Sequence, residues 1–369
     1  MLRNKIVLLL IATLLITAFV GCGEGDGNGD ENGDYEEITR SSLSYLDTEI
    51  QIMLYVRDSE KGEDAIEKAF DEIERLEGIL ARHQADSDVN RINENAGVEE
   101  VEVNPETMEL IKKAIEWGEL TEGHFDVTVA PLLNRWGFGE DRLYELIGRE
   151  DEEGEPEVDF EIPTEEEINE LLEYVDYQQI EIYEDENIAF LPEEDMQIEM
   201  AGIAKGYILE GALEILIDEG IEYGFVRAGG DITTIGGKPE NEPWVIGIRN
   251  PREQGHYASY YLEDNSIGTA GDYVRYFELD DERYPHIVDP IEGRPARGVV
   301  SATIDAPTAM EIDVISTTSF VMGVEKGLEF IESLDDVEGA LIDEEGKVHY
   351  SSGFEDSMRD GPEQGAKIF

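Results

Sequence analysis

Apolar and polar positions change their spacing several times along the chain, and each change marks a predicted element. Residues 48–56, TEIQIMLYV, alternate apolar and polar side chains, which is the period of a half-buried strand. Residues 65–80 place Ile66, Phe70, Ile73, Leu76 and Leu80 on one face of a helix. Residues 105–120 predict a second amphipathic helix, and 164–175 a third that opens on Thr164 with Glu167 three positions on, the capping-box pairing. Strand signals follow at 179–191. Residues 203–219 predict a helix closed by Gly220 at its C′ position. Several strands with glycine-rich turns fill 223–280. Two helical stretches, 308–321 and 324–333, then precede a short β-like terminal segment. The strands are grouped rather than alternating with helices, so the expected class is α+β. No internal repeat is present.

The first residues break this pattern. MLRNK carries two positive charges, and IVLLLIATLLITAFV is an unbroken apolar run ending at Gly21 and Cys22. Charged start, apolar centre and small-residue boundary are the layout of a secretory signal over residues 1–21. Cys22 is the only cysteine, so it has no internal disulfide partner. AFVGC resembles a bacterial lipobox, with Phe where Leu is usual. This implies a mature chain that begins at a lipid-bearing Cys22 and is anchored outside the cytoplasm. An uncleaved membrane anchor is the other reading of the same run. Residues 22–40 are expected to form an acidic, glycine-rich tether, because 23–37 hold almost nothing that can bury a core. Asp26, Asn28 and Asp30 imitate the start of a calcium loop, but Glu31 stands where such a loop needs Gly. Residues 41–369 are expected to form the folded domain, with the charged stretch 139–162 as a surface excursion.

Charge narrows the function. The chain has 89 acidic and 27 basic residues and a formal net charge of −62, so it lacks the cationic field that phosphate backbones and anionic membrane surfaces require. Such acidity is otherwise the mark of a surface suited to high salt, where screening removes self-repulsion.

Four segments carry candidate chemistry. In EGHFDVTVAPLLNRWGFG, 122–139, Asp126 is either a ligand contact or a cap at a helix start. In IEMAGIAKGYILEGALEIL, 198–216, Gly202, Lys205 and Gly206 open a helix, where free N–H groups and a lysine suit an anion; close packing of small residues is the plainer reading. VRAGGDITTIGG places Gly229 and Gly230 before Asp231, and GTAGDYVRYF places Gly271 before Asp272. Such turns allow close backbone approach to a ligand, and equally serve plain hairpins. In APTAMEIDVISTTSFVMG, 306–323, Asp313, Ser316 and Thr317 fall on one helical face, an oxygen-donor set that suits Mg²⁺. RYPHIVDP, 283–290, sets His286 between a strand-like pair and a turn, either as a proton carrier or as a brace for the turn.

The order of these segments resembles the FAD:protein FMN transferases, the ApbE family, from about residue 44 to 333. The resemblance implies an α+β fold with mixed or antiparallel sheets, packed helices and two subdomains around a flavin nucleotide. It implies transfer of FMN from FAD to a Thr or Ser hydroxyl of a target flavoprotein, with AMP released and Mg²⁺ required. Leu46 falls where the family has an early Met-Gly-Thr, and His83 where it often has an aromatic residue. His124, Phe125, Asp126, Glu199 (usually Asp), Lys205, Gly229, Gly230, Asp231, Gly271, Asp272 and Val288 are implied FAD contacts. The Gly202 carbonyl, Asp313, Ser316 and Thr317 are the implied metal site, and His286 the catalytic histidine. The implied partner is a membrane electron-transport subunit or an extracytoplasmic electron-transfer protein. A Mg²⁺-dependent FAD pyrophosphatase and a non-catalytic flavin-binding lipoprotein are the competing readings of the same site.

Overall fold

The computed structural model describes residues 35–139, 161–279 and 282–369. The leader, Cys22, the Asp26–Asp30 imitation of a calcium loop and nearly all of the 139–162 excursion lie outside the described residues. The frame is an eight-stranded antiparallel sheet in the order Glu36–Tyr45, Thr48–Val56, Gly224–Ala228, Asp231–Ile235, Ser266–Gly271, Val299–Ala306, Glu338–Asp343, Val348–Tyr350. Alternation in Thr48–Val56 sends Ile50, Ile52 and Leu54 to one face, where they are fully buried, and Met53 and Tyr55 to the other. In chain order the helices are α1 (Ser59–Leu80), α2 (Asp88–Glu94), α3 (Pro105–Leu120), α4 (Ala130–Arg135), α5 (Glu165–Leu172), α6 (Ala201–Asp218) and α7 (Ala309–Glu332), of which α1, α6 and α7 pack on the sheet. The opposite face is covered by a three-stranded sheet of Trp244–Arg249, His256–Leu262 and Met358–Asp360. Covered on both sides, Val299–Ala306 is buried at every residue. A smaller core gathers Leu132, Trp136, Phe138, Ile168, Tyr284 and Val288 beside α4 and α5.

Most predicted elements form. α3 spans 105–120, and Thr164 and Glu167 exchange both bonds of the capping box. Gly220 follows α6 at φ 82°, and α7 breaks at Gly323 (φ 82°, ψ 175°), between the two predicted helical stretches. Two boundaries differ. α1 begins at Ser59, capped by Asp58, because residues 59–64 are too polar to show a helical period. The sheet begins at Glu36, so 36–40 belong to a strand and not to the tether. Of that edge strand only Ile38 is buried, and the ladder to Thr48–Val56 holds it, so its sequence shows no apolar alternation.

Candidate active site

The site is built where turns of the main sheet meet the start of α6. Leu46 and Asp47, the turn between the first two strands, both adopt positive φ (52° and 50°), the primed-turn geometry of a two-residue hairpin. The Leu46 N–H donates to Glu77 Oε1 at 2.8 Å, and His83, just beyond α1, stands close enough to act on the same carboxylate. Gly229 lies against this turn, where an added Cβ would come within 2.9 Å of the Thr48 hydroxyl. Its N–H donates to the Glu49 carbonyl at 3.0 Å. Sequence-distant Leu46, Gly229 and Gly230 are thereby placed together.

Lys205 is the electrostatic centre. Its ammonium lies 2.7 Å from Asp231 Oδ2 and 2.8 Å from Asp313 Oδ1. Both carboxylates are buried, at 5% and 4% exposure. Asp231 Oδ1 also accepts from the Thr269 N–H, and Asp313 Oδ2 from the Gly206 N–H, each at 3.2 Å. Two glycines make the cluster sterically feasible. A Cβ at Gly206 would strike the Ala309 carbonyl where α6 crosses α7, and one at Gly268 would lie 2.5 Å from Asp231 Oδ1. Burial pulls the Lys205 ammonium down, but the two carboxylates outweigh it and hold it above its ordinary range. Burial pushes Asp313 up, against the opposing pull of Lys205.

His286 stands beside this cluster. Its backbone N–H and its Nδ1 both meet the Arg275 carbonyl, at 3.0 and 3.1 Å. A carbonyl only accepts, so Nδ1 carries the proton and Nε2 keeps its lone pair. Burial, then the charges of Arg275 and Lys205, pull the imidazole down to about 4, so it is neutral at physiological pH. The Arg275 guanidinium is 3.9 Å from Asp47, which ties the histidine's support to the first turn.

At the other side, Glu199 receives Arg82 at 3.0 Å and the Ala201 N–H at 3.1 Å, just before α6. Phe125 packs against Gly202. His124 Nδ1 donates to the Thr121 carbonyl at 2.8 Å. Both Asp126 oxygens are engaged by protein donors: Thr128 N–H at 2.8 Å, Thr128 hydroxyl at 2.6 Å and Tyr177 N–H at 2.9 Å. Asp126 thus caps the short turn Val127–Val129, the plainer of its two sequence readings. Burial pushes its carboxyl up to about 6. Val288 lies in the smaller core with Trp136 and Tyr284, and Asp272 is clasped by Arg252. Arg82 and Arg275 were not singled out from the sequence. Their signal was their place inside glycine- and histidine-containing segments of a chain poor in basic residues.

The residues present fit a divalent cation. Two buried carboxylates share one ammonium, so the cluster retains a negative charge that a cation would neutralise. Thr317, one helical turn beyond Asp313, is half-buried, whereas the Ser316 hydroxyl donates to its own helix at the Asp313 carbonyl, 3.3 Å away. Among the described residues no three His, Cys, Asp or Glu side chains gather as a metal cage. Carboxylate and hydroxyl oxygens are hard donors, the kind that suits Mg²⁺ completed by phosphate and water.

The ApbE family model matches residues 46–341. The chain belongs to the ApbE family. A FAD:protein FMN transferase of Vibrio cholerae is 33% identical over 264 residues, covering 71% of this chain and 74% of that protein. A Haemophilus influenzae protein of the same name is 31% identical over 277 residues, covering 72% and 76%. Among solved structures, the ApbE protein of Thermotoga maritima aligns with a TM-score of 0.77 at 32% identity, over 88% of this chain and 100% of that one. The flavin transferase ApbE of Vibrio cholerae aligns with a TM-score of 0.73 at 28% identity, over 88% and 99%. In this ApbE chain the Lys205 cluster and His286 lie inside the matched residues.

Proposed function

We propose that this chain is a Mg²⁺-dependent FAD:protein FMN transferase that modifies a Thr or Ser hydroxyl of a target flavoprotein. The observation that carries the reading is His286, its Nδ1 3.1 Å from the Arg275 carbonyl, next to the buried Lys205–Asp231–Asp313 cluster. In the transfer the acceptor oxygen bonds to the FMN phosphorus. The pyrophosphate P–O bond breaks, AMP departs with the bonding electron pair, and the hydroxyl proton passes to His286 Nε2. Asp313, Thr317 and the Gly202 carbonyl would hold Mg²⁺, which supplies neutralisation of charge on the leaving phosphate. Lys205 adds a fixed positive charge to the same region, and the remaining contribution is positioning. Leu46, Gly229 and Gly230 are suited to one end of the dinucleotide, and Phe125, Glu199 and Gly202 to another.

The test is incubation with FAD, Mg²⁺ and a candidate acceptor subunit, read by in-gel flavin fluorescence. Fluorescent acceptor is the expected result. Rapid release of FMN and AMP with no labelled protein would instead make the chain a pyrophosphatase. The acceptor is proposed to be a membrane electron-transport subunit, reached by an enzyme tethered through a lipid on Cys22 at the outer face of the cell membrane. Mass spectrometry of the native N-terminus checks the anchor: a diacylglyceryl Cys22 is expected, and an intact Met1 rejects it.

A further inference from the structure

The three-stranded sheet on the far face has no part in the site described so far, yet its first loop reaches that site. Arg252 places its two terminal nitrogens 2.7 and 2.6 Å from the two oxygens of Asp272, a fork-to-fork pair whose acid is only 13% exposed. Arg249, at the end of the strand Trp244–Arg249, sets its guanidinium 5.1 Å from the centre of the Tyr273 ring. Two consecutive residues of one turn are thus held by two arginines, one at the end of the strand and one in the loop that follows it. The loop itself is braced. Buried Asn250 accepts the backbone N–H groups of Arg252 and Glu253 at 3.0 and 2.9 Å.

The held turn leads directly to His286. The Asp272 N–H donates to the Val300 carbonyl at 3.1 Å, and Tyr273 folds back over Gly271, where a Cβ would lie 2.5 Å from its ring. Three residues after Asp272, Arg275 offers the carbonyl that takes both the backbone N–H and Nδ1 of His286. Arg283, three residues before His286, lies 3.7 Å from Asp272 and approaches the same acid from the other flank.

We infer that Arg252, through its fork on Asp272, is a positioning residue for flavin transfer: it fixes the turn whose Arg275 carbonyl holds His286 in the Nδ1–H form, leaving Nε2 to receive the acceptor proton. The inference rests on the reading of His286 as the base. Without the fork, the more distant Arg283 remains beside Asp272 and the ladder from Tyr276–Pro285 still holds one side of the turn, but the Asp272–Arg275 side is less firmly fixed, and with it the carbonyl that Nδ1 meets. A small misplacement of a reacting group by a change away from the chemistry can cost about 10²-fold.

The test uses the full chain with Arg252→Gln. Single-turnover transfer at saturating FAD is expected to fall by up to about 10²-fold; FAD affinity is titrated beside it, and saturation separates the rate from any loss of binding through Asp272, itself an implied FAD contact. The ¹⁵N resonances of the His286 ring, assigned by their loss in His286→Gln, are expected to move from an Nδ1–H pattern toward a tautomeric average. Arg252→Lys keeps the charge but not the fork, and is expected to give an intermediate rate and an intermediate ring pattern. A brace of purely structural kind would lower thermal stability and leave the ring pattern unchanged. An unchanged ring pattern in Arg252→Gln, or a full rate beside an altered ring, overturns the inference. If His286→Gln itself transfers at the wild-type rate, the base assignment fails, and the ring pattern of Arg252→Gln still decides whether Arg252 positions the histidine. Should Arg252→Gln fail to fold, the lysine variant supplies the same two readouts.

Discussion

Asp126 and Asp313 are both buried aspartates in motifs of the same site, and they are satisfied in different ways. Asp126 takes three hydrogen bonds, two of them from Thr128 only two residues away, and all donors are neutral. Asp313 takes one backbone N–H and shares the Lys205 ammonium with Asp231. The first carboxylate is absorbed into the turn it caps. The second is part of a cluster with more negative than positive charge, assembled from α6, α7 and a sheet turn. The difference teaches that two acids of similar burial can be satisfied in opposite ways, one by neutral donors, two of them from its own turn, and one by a cation shared with a second acid.

The largest expected effect is on Asp313. Asp313→Asn keeps the volume but removes the charge, and transfer at saturating FAD is expected to fall by about 10²–10³-fold or more, with the fold retained by circular dichroism. Wild-type transfer at low Mg²⁺ would remove Asp313 from the metal site. Asp126→Asn is expected to act on stability instead. The amide turns donors toward donors and leaves polar groups unpaired, costing about 1–3 kcal/mol in chemical denaturation at pH 4. A raised KM for FAD with unchanged stability would move Asp126 into the nucleotide site.

A pH series sharpens the same contrast. The folded Asp126 titrates near 6, above its ordinary 3.8, so the folded state holds the proton more firmly. Its contribution is present at low pH and is lost as pH rises through 6. The stability advantage of wild type over Asp126→Asn should therefore narrow between pH 4 and 7, by up to about 3 kcal/mol. A gap that widens over that window contradicts the assignment. The smallest effect concerns salt. Screening acts on the exposed acidic surface and little on buried pairs. Molar salt is expected to raise the melting temperature while leaving the rate loss of Asp313→Asn unchanged; equal melting temperatures in dilute and molar salt would contradict it.

Much of the frame was legible because it rests on short-range chemistry. The alternation of Thr48–Val56, the capping box at Thr164 and Glu167, and the α7 break near Gly323 are local matters of period, cap and backbone freedom. The edge strand Glu36–Tyr45 was not legible, because pairing to a neighbour holds it rather than an apolar face. In the site, the candidate segments were visible as glycines beside acids and a lysine in an acidic chain, and the family likeness supplied their roles. Arg82 and Arg252 escaped notice because their partners, Glu199 and Asp272, meet them only in the folded chain.

Residue order alone thus determined the longer periodic elements, that the class is α+β, and which motifs the chain carries, since caps, turns and hydrophobic periods act over a few residues. Tertiary structure alone decided that one ammonium serves both Asp231 and Asp313, that Tyr177 joins Thr128 in donating to Asp126, and that His286 hangs its Nδ1 on the Arg275 carbonyl. Charge and hydrogen-bond partners are chosen by proximity in space, and a proton's location on an imidazole depends on a carbonyl that only packing can bring to it.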